Sequence, residues 1–378
     1  MFKQVLIGLI VIVIAPCSYS DHHDESARVL ETYSKLVHAN YTACYETALV
    51  LQTAVTAFLE QPNEQTLTAA KRAWLDSRIP YGQSEAFRFY EGPIDGPEGR
   101  EERLNSWPLN EAYIDYVKGH PRAGIIANTA MPLTEAAIVQ KNQVDDEADV
   151  STGYHALEFL LWGQDLSLDG PGSRPASDYI GDHPTTVRRR AYLRIVTDLL
   201  VKDLKFLVDS WGTEQDNYAD EFKQLDHREA FSKILTGLAT LSGFELASER
   251  MGVPLDSGDQ EDEHSCFSDN THNDLIYNAR GIRNVYLGTY ADFQGHGLNS
   301  LVAKLDPALN QKILKQLDTT QNAVEAIDAP IDREVLATKV NSPARQKMEA
   351  AIRALQAQAE LFKTLGNTLG AAVEVIRE

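Results

Sequence analysis

The residues of this chain best suited to chemistry are an imidazole and a carboxylate three positions apart, His155 and Glu158, within the segment Gly153–Gly163. Apolar residues recur around them at helical spacing. Thr152 or Ser151 can cap the start and the final glycine can end the helix, so the pattern predicts one short, mostly buried helix. Side chains three residues apart share a helix face, so the two groups would project together. Burying both is costly unless something satisfies them.

Two interpretations of the pair compete. His155 and Glu158 could bond each other or nearby backbone inside a helix bundle, or they could act as metal ligands, which suits iron or zinc. The zinc-protease motif His-Glu-x-x-His is absent, and its inverted form fails because Phe159 stands in place of the second histidine. Two ligands do not make a site, so the metal interpretation depends on further carboxylates.

The acids that could complete a metal site are Glu85 and Asp95. Glu85 falls in a helix predicted from residue 63 or 64 toward Phe89, in which Pro80 predicts a kink, and Asp95 follows in a loop rich in Gly and Pro. Added to the central pair, they would give three carboxylates and one imidazole. Such a set could hold iron, manganese or zinc and leave positions open for water or a ligand. The alternative for each acid is an exposed carboxylate.

Further polar residues could shape the same cleft. Arg78 shares a helix with Glu85 and could orient a carboxylate ligand or accept an anionic part of a substrate. Ser268 and Asp269 could simply cap a helix with His272 on its first turn, or could also serve the junction between domains.

The elements that must position these groups are helices. Three-to-four periodicity predicts long helices over about residues 27–60, 185–208 and 226–251, whereas period-two strand patterns are almost missing. A shorter helix is expected from Trp107 to about Lys118. Two long helices, a loop, an aromatic residue with a capping sequence and another helix occur in each half. We therefore predict an all-α fold of two pseudo-symmetric helical-bundle domains, at 25–180 and 185–378, with the site between them.

The charge of the chain and its apolar segments exclude some classes of partner and indicate a location. The chain has 378 residues and a formal net charge of −20, which argues against nucleic acid or an anionic membrane as a partner and suits a cation. Residues 1–20 are predicted to be a signal peptide, with a positive Lys3 and an apolar run too short to span a bilayer. A lipid on Cys17 is the alternative to simple cleavage. No later segment is apolar enough to cross a membrane, and Cys44 and Cys266 could form a disulfide or remain separate thiols.

Several motifs together resemble the imelysin family, most closely its branch of iron-regulated protein A. The resemblance covers nearly the whole mature chain. It rests on Gly153-Tyr154-His155-Ala156-Leu157-Glu158, Trp74-x-x-x-Arg78-x-Pro80-Tyr81, Glu85 with Gly92-Pro93-Ile94-Asp95, and Phe267-Ser268-Asp269-Asn270-Thr271-His272.

The resemblance implies a duplicated all-α fold, a place in the periplasm or cell envelope, and a role in iron acquisition. Carried over, it implies that His155 and Glu158 bind metal with Glu85 and Asp95, and that Tyr81 belongs to the surrounding shell. The implied cargo is a metal ion or small metal complex, with iron first and zinc second. The implied partner is a membrane component of an iron-uptake system. The family's peptidase designation gives one alternative, a metallopeptidase, and a protein that binds a non-metal ligand is another.

Overall fold

The computed structural model describes residues 18–213 and 216–377. The predicted signal peptide over residues 1–20 and the lipid alternative at Cys17 lie outside the described residues, apart from residues 18–20, whose backbone begins the first helix. Within the described ranges, no helix combines the length and the hydrophobicity that crossing a membrane requires.

The first half of the chain contains two long helices, a series of short helical turns, and two further helices. In chain order these are α1 (Ser18–Glu60), α2 (Glu64–Ser84), α3 (Glu101–Leu104), α4 (Glu111–Ile114), α5 (Gly124–Ala127), α6 (Glu135–Val139), α7 (Gly153–Trp162) and α8 (Pro184–Ser210). Helix α1 packs against α2 and α8, and α7 packs against α2 and α8. The 3₁₀ turns of this half are Glu85–Phe87 and Ala176–Tyr179.

The second half of the chain is also mostly helical. Its elements are α9 (Tyr218–Gln224), α10 (His227–Thr240), a π-helical segment (Leu241–Gly252), α11 (Val253–Ser257), α12 (Thr271–Leu287), β1 (Thr289–Tyr290), β2 (Phe293–Gln294), α13 (Leu298–Leu305), α14 (Pro307–Glu325), a second π-helical segment (Asp332–Leu336) and α15 (Pro343–Leu369). The 3₁₀ turns here are Gln260–Asp262 and Cys266–Ser268. Helix α15 packs against α10, α14 and the first π-helical segment.

The all-α prediction is confirmed. In the described part of the chain, the two-residue strands β1 and β2 are the only strands; they pair antiparallel, with Thr289 opposite Gln294. Local sequence accounts for the helix bounds at several points. Asn63 caps α2 by accepting from the N–H of Gln65 and of Thr66, whose hydroxyl accepts from the Asn63 N–H in return. The apolar stripe that predicted α1 is buried along its length.

Helix α2 continues through Pro80 and ends at Ser84, five residues before the predicted end. The carbonyl of Pro80 accepts from the side-chain amide of Asn40 in α1, at 2.8 Å. This bond ties α1 to α2 at Pro80, while the missing N–H of the proline removes the helical bond to the carbonyl of Asp76, four residues earlier.

The helix predicted from Trp107 to Lys118 is wrong in length, because only the turn α4 forms there. The backbone leaves the helix at Asp115, where it is extended, and the Asp115 carboxylate accepts from the guanidinium groups of Arg174 and Arg189. The backbone of Gly124 packs on the end of this turn, where a Cβ would lie 2.3 Å from the carbonyl carbon of Ile114. Tertiary ion pairs and close backbone packing thus outweigh the local helical pattern.

The two halves meet where α2 crosses α12. A Cβ on Gly281 would lie 2.2 Å from the Gln83 carbonyl oxygen, and one on Gly82 would lie 2.9 Å from the Cβ of Tyr277. Glycines therefore let the two backbones approach. The Asn278 side chain donates to the Gly82 carbonyl at 2.8 Å across this crossing.

The predicted division into domains 25–180 and 185–378 stays a prediction. Helix α8 begins just after the predicted boundary, yet it packs along α1 and α7, which belong to the predicted N-terminal domain. The two described cysteines, Cys44 and Cys266, are separate buried thiols, so the disulfide alternative is not the arrangement adopted.

Candidate metal centre

Helix α7 carries the central pair. It begins at Gly153, whose φ of +86° and close approach to the Leu104 carbonyl leave no room for a side chain. It ends at Gly163 with φ +72°. All ten residues of the helix are buried, and the Nδ1 atom of His155 lies 2.9 Å from Oε2 of Glu158. The contact expected from the local interpretation of the pair is therefore present.

The predicted capping residues of α7 serve a different purpose. The hydroxyl of Ser151 donates to the Ile138 carbonyl and that of Thr152 donates to the side-chain oxygen of Asn142. Neither hydroxyl caps the helix. These contacts instead tie the start of α7 to the segment around α6.

Glu158 is fully engaged. While Oε2 faces His155, Oε1 accepts from the backbone N–H of Ser268 at 3.0 Å and from its hydroxyl at 2.6 Å. The structure therefore brings Ser268, from the second half, directly to the central pair of the first half.

A second histidine and carboxylate lie opposite the first. Nδ1 of His264 is 2.9 Å from Oδ2 of Asp274, which also accepts from the Ser265 hydroxyl at 2.5 Å. The rings of His155 and His264 have centroids 4.7 Å apart, at 74° to each other. Each half thus contributes one imidazole that is held at Nδ1 by a carboxylate, the arrangement typical of metal-binding histidines.

The Nε2 atoms of the two imidazoles are the free ends of these pairs. His155 Nε2 is buried and has no hydrogen-bond partner. His264 Nε2 has one long contact, 3.4 Å from the amide nitrogen of Asn105. An amide nitrogen is only a donor, so this contact indicates a lone pair on His264 Nε2 and a proton on Nδ1.

Arg78 supports the second pair rather than a ligand in the cleft. Its guanidinium donates to Oδ1 of Asp274 at 3.1 Å and to the side-chain oxygen of Asn105 at 2.6 Å. The faces of Trp74, Tyr81 and Tyr154 surround it, with centroids 4.9–5.6 Å away. Tyr81 therefore contacts the centre through this cation–π packing, and its hydroxyl is buried without a partner.

Glu85 lies in a neighbouring ion network. Its Oε2 accepts from Arg88 at 2.8 Å and from Arg250 at 2.6 Å. Glu245 also pairs with both guanidinium groups, and Glu101 pairs with Arg88 at 3.2 Å.

Asp95 organises its own loop. Its carboxylate accepts from the backbone N–H groups of Phe89, Tyr90 and Gly92. The four predicted ligands are thus not gathered into one cluster. In the described ranges, one group of three potential ligand atoms lies within 4.8 Å of one another, and it includes neither the central pair nor Glu85 or Asp95. Metal binding by these four residues stays a prediction.

Asp269 and His272 lie in other surroundings. Asp269 ends the turn Cys266–Ser268 with φ +56° and joins an acidic group with Asp165 and Asp332. His272 is in the first turn of α12 and interacts with the backbone of Val324 in α14, and its Nε2 is buried without a partner. The predicted capping by Ser268 or Asp269 is wrong, since the residue at the N-cap of α12 is Asn270 and no side chain caps this helix.

The electrostatics of the two pairs differ. Burial, with nearby cationic or imidazole groups, holds the pKa of His155 well below its usual range and lowers that of His264 to about 4, so both rings are neutral at pH 7. Burial raises the pKa of Glu158 to about 8. Burial also opposes ionisation of Asp274, but Arg78 and His264 hold its pKa well below the usual range.

An open cleft leads to His264 between the halves. It has a volume of about 390 Å³, and the polar groups along it include Glu101, Asn105, Arg88 and Arg250. Burial raises the pKa of Glu101 to about 7, so this carboxyl titrates near neutrality. The first π-helical segment supplies Arg250 and three more lining residues, in keeping with the frequent occurrence of π-helical turns at functional sites.

Sequence reasoning missed His264, Asp274, Asn105 and the role of Arg250. His264 stands just before the Phe267–His272 motif, and this adjacency was the one available signal. Its pairing with Asp274, ten residues later, joins an irregular loop to a helix and follows no helical or strand period.

Comparisons with known proteins follow this geometry. The family model described as imelysin, peptidase M75, matches residues 37–362. The chain belongs to the imelysin family. This chain is 27% identical over 309 residues to iron-regulated protein A of Synechococcus elongatus (strain ATCC 33912 / PCC 7942 / FACHB-805), and the match covers 79% of this chain and 74% of that protein.

Two solved structures share the fold of this chain. One is a candidate iron-regulated protein A precursor from Parabacteroides distasonis ATCC 8503, with TM-score 0.74, 22% identity, and coverage of 92% of this chain and 95% of that one. The other is an imelysin-like protein from Psychrobacter arcticum 273-4, with TM-score 0.65, 15% identity, and coverage of 97% and 100%.

Proposed function

We propose that this chain is an exported metal-binding protein of iron uptake or homeostasis, which takes its cargo at the junction of the two halves beside His155 and His264. One observation carries the proposal. His155 Nε2 is buried without a partner while Nδ1 is held by Glu158. Buried polar atoms are normally satisfied, and an imidazole fixed at one nitrogen offers the other to a metal.

The proton on the His155–Glu158 pair would control binding. With Glu158 protonated, its O–H donates to Nδ1 and the imidazole proton sits on Nε2, where it blocks a metal. With Glu158 ionised, Nδ1–H donates to the carboxylate and Nε2 carries a lone pair. Because burial raises the pKa of Glu158 to about 8, a bound cation would displace this proton near neutral pH. Metal affinity should therefore fall as the pH is lowered.

The charges around the centre suit a cation. Three guanidinium groups, those of Arg78, Arg88 and Arg250, are buried in this region, which also holds five carboxyls, so full ionisation of the carboxyls leaves two negative charges. The carboxyls are those of Asp274, Glu85, Glu245, Glu101 and Glu158. Two of the five, Glu101 and Glu158, have pKa values raised to about 7 and 8. A divalent cation would compensate the charge that their ionisation creates.

Imidazole nitrogen with carboxylate support suits iron, and suits zinc as the second choice. The similarity to proteins named iron-regulated protein A favours iron. In this proposal the two imidazoles bind the metal first, and Glu158 orients one of them. Glu85 and Asp95 remain proposed ligands, but each would have to give up its present hydrogen-bond partners to reach the metal. The net charge of −20 is also favourable for attracting a cation.

Export is proposed from the positive start and short apolar run of residues 1–20. A protein that collects metal in the periplasm or cell envelope would deliver it to a membrane component of an uptake system. Attachment through Cys17 is the alternative to a freely exported chain.

The decisive experiment is anaerobic calorimetry with Fe²⁺, and with Zn²⁺ in parallel, on the chelator-treated full chain. His155→Ala should weaken binding at least about tenfold, and Glu158→Gln should do the same because an amide favours the imidazole tautomer with its proton on Nε2. His272→Ala is the matched control, since this imidazole also has an unpartnered Nε2 but faces α14. Absence of binding by the wild type, or equal affinity in wild type and His155→Ala, rejects the proposal.

A second candidate is a small polar anion, alone or as part of a metal complex, in the cleft beside His264. Nε of Arg88, a buried donor at this cleft, lacks a partner. Calorimetry with citrate, with and without Fe³⁺, tests this candidate. Binding that Arg88→Lys weakens would support it, because a lysine cannot reproduce the guanidinium fork.

The metallopeptidase alternative requires a general base that can accept a proton. The pKa of Glu85, against the opposing effect of burial, is held at about 2 by Arg88 and Arg250, and both oxygens of Glu158 are engaged. Glu101 is the carboxyl with a pKa near neutrality at the cleft. Chelator-sensitive cleavage of a peptide library, abolished by Glu158→Ala, would favour the peptidase over a binding protein.

A further inference from the structure

Three carboxylates from distant parts of the chain converge at a second place. Asp165 follows α7, Asp269 follows the turn Cys266–Ser268, and Asp332 begins the second π-helical segment. One ligand oxygen from each lies within 4.8 Å of the others. Three like charges brought together by separate segments are unfavourable unless a cation joins them.

Two of these acids are buried and short of partners. Asp165 and Asp332 are each 3% exposed. Oδ2 of Asp165 has no hydrogen bond; both oxygens of Asp332 lack a well-formed one, although the backbone N–H groups of residues 332 and 333 face them. Glu263, also 3% exposed, interacts electrostatically with all three acids, and its Oε1 has no hydrogen bond. Unsatisfied buried carboxylate oxygens call for an explanation.

The surroundings leave the negative charge uncompensated. Burial first, and repulsion by neighbouring acids second, raise the pKa of Asp269 to about 7. For Asp165, burial and the charge of Asp332 raise the pKa to about 6. Arg333 acts on this group from an exposed position and forms its own 2.8 Å pair with Glu334.

We propose that Asp165, Asp269 and Asp332 bind a hard divalent cation of the Ca²⁺ class. The donors are all oxygens, with no imidazole or thiolate in the group, which favours Ca²⁺ over zinc or copper. Ca²⁺ accepts oxygen ligands at about 2.3–2.6 Å, so ligands on opposite sides of the ion lie up to about 5 Å apart. Three carboxylate oxygens within 4.8 Å of one another can therefore share one such ion, whereas Mg²⁺ dehydrates reluctantly and retains more of its own water.

A cleft in the surface opens beside the proposed cation site. A cleft of about 430 Å³ is lined by Asp332 together with Asp259, Gln260 and the turn at Gly258. This opening gives the ion a way in and gives water the remaining coordination positions, which three carboxylates alone do not fill.

The bound cation would join the two halves. Asp165 lies three residues beyond Trp162, the last residue of α7, and Asp269 follows Ser268, the residue that holds Glu158. The ion would therefore tie the end of α7 to the segment that positions the central pair. This role is structural and does not depend on the function proposed for His155.

Thermal unfolding of the chelator-treated full chain, with and without saturating Ca²⁺, tests the site. The wild-type Tm should rise by about 5 °C or more with Ca²⁺ and by less with Mg²⁺. Asp332→Asn should abolish the Ca²⁺-dependent rise and, in chelator, be at least as stable as the wild type, because it removes an unpaired buried charge. Asp328→Asn is the matched control, an exposed acid four residues earlier that pairs with Lys347.

Two results would overturn the cation site: a wild-type Tm that does not respond to Ca²⁺, or an undiminished response in Asp332→Asn. If that variant does not fold, Asp269→Asn, at a half-buried position, takes its place with the same expectation. His155→Ala should keep the full Ca²⁺ response. Failure here is thereby separated from failure of the proposed metal centre at His155.

Discussion

The two histidine–carboxylate pairs have the same geometry and opposite electrostatics. In each pair Nδ1 lies 2.9 Å from a carboxylate oxygen, and each carboxylate also accepts from a serine hydroxyl. Yet burial raises the pKa of Glu158 to about 8, whereas that of Asp274, also buried, is held well below its usual range.

Arg78 makes the difference. Its guanidinium pairs with Asp274 and has no such contact with Glu158. A buried carboxylate with a guanidinium partner stays ionised, and one with only neutral donors holds its proton. The second pair is therefore a fixed ion pair, whereas the first holds a proton that a metal would displace in the proposed function.

Removing Arg78 should have the largest effect on the difference in pKa between Glu158 and Asp274. Arg78→Met leaves Asp274 buried without its cation, and loss of one partner of a buried pair costs about 3–5 kcal/mol. Urea unfolding should show this loss, and the pKa of Asp274 should rise toward that of Glu158.

The control for this variant is Arg72→Met, which breaks the exposed pair with Asp76 and should cost less than about 1 kcal/mol. Adding Asp274→Asn to Arg78→Met should recover part of the lost stability. If Arg78→Met alone is as stable as the wild type, Arg78 does not cause the difference in pKa between Asp274 and Glu158.

The two histidine–carboxylate pairs should also differ in how the stability of the fold depends on pH. A carboxyl whose folded pKa is raised stabilises the fold below its unfolded pKa, and this contribution disappears as the pH rises through the folded value. Glu158 should thus contribute a decline between about pH 5 and 8, by at most about 1.4 kcal/mol per pH unit. Glu158→Gln should therefore make the decline in the measured unfolding free energy shallower across this range than it is in the wild type.

At acidic pH, Asp274 should have the opposite effect on stability. The lowered pKa of Asp274 contributes stability above its unfolded value, which is lost as the pH falls below about 4. Glu158→Gln should leave this acid limb unchanged. Glu101 and Asp269, whose pKa values are raised to about 7, add to the decline in both proteins. A decline as steep in Glu158→Gln as in the wild type would indicate that Glu158 is already ionised at pH 5.

The smallest effect is expected at Ser268. Ser268→Ala removes the 2.6 Å hydroxyl bond to Glu158 but keeps the backbone N–H bond, so the cost should be about 1 kcal/mol. The pKa of Glu158 should rise further, and the pH at which metal binding reaches half its maximum should move up with it. Ser265→Ala, beside the guanidinium-paired Asp274, should shift that pH less.

Much of the fold could be predicted because helical periodicity is local. The stripe of α1, the long helices over residues 185–208 and 226–251, and the end of α7 at Gly163 agree with the structure. The shared face of His155 and Glu158 follows from a spacing of three residues within one helix. The helix expected over residues 107–118 failed because Asp115 is held by arginines far along the chain.

The sequence by itself determined the all-α class and the polar pair on α7, since both depend on contacts within a few turns of helix. Only the tertiary structure decided which groups meet that pair. The close crossing of α2 and α12 accompanies the pairing of Arg78 with Asp274, and the 3₁₀ turn Cys266–Ser268 brings Ser268 to Glu158. Glu85 accepts hydrogen bonds from Arg88 and Arg250, and Asp95 accepts them from the backbone of its own loop. A carboxylate's partner depends on which donors the packed helices bring close, and residue spacing along the chain does not contain that information.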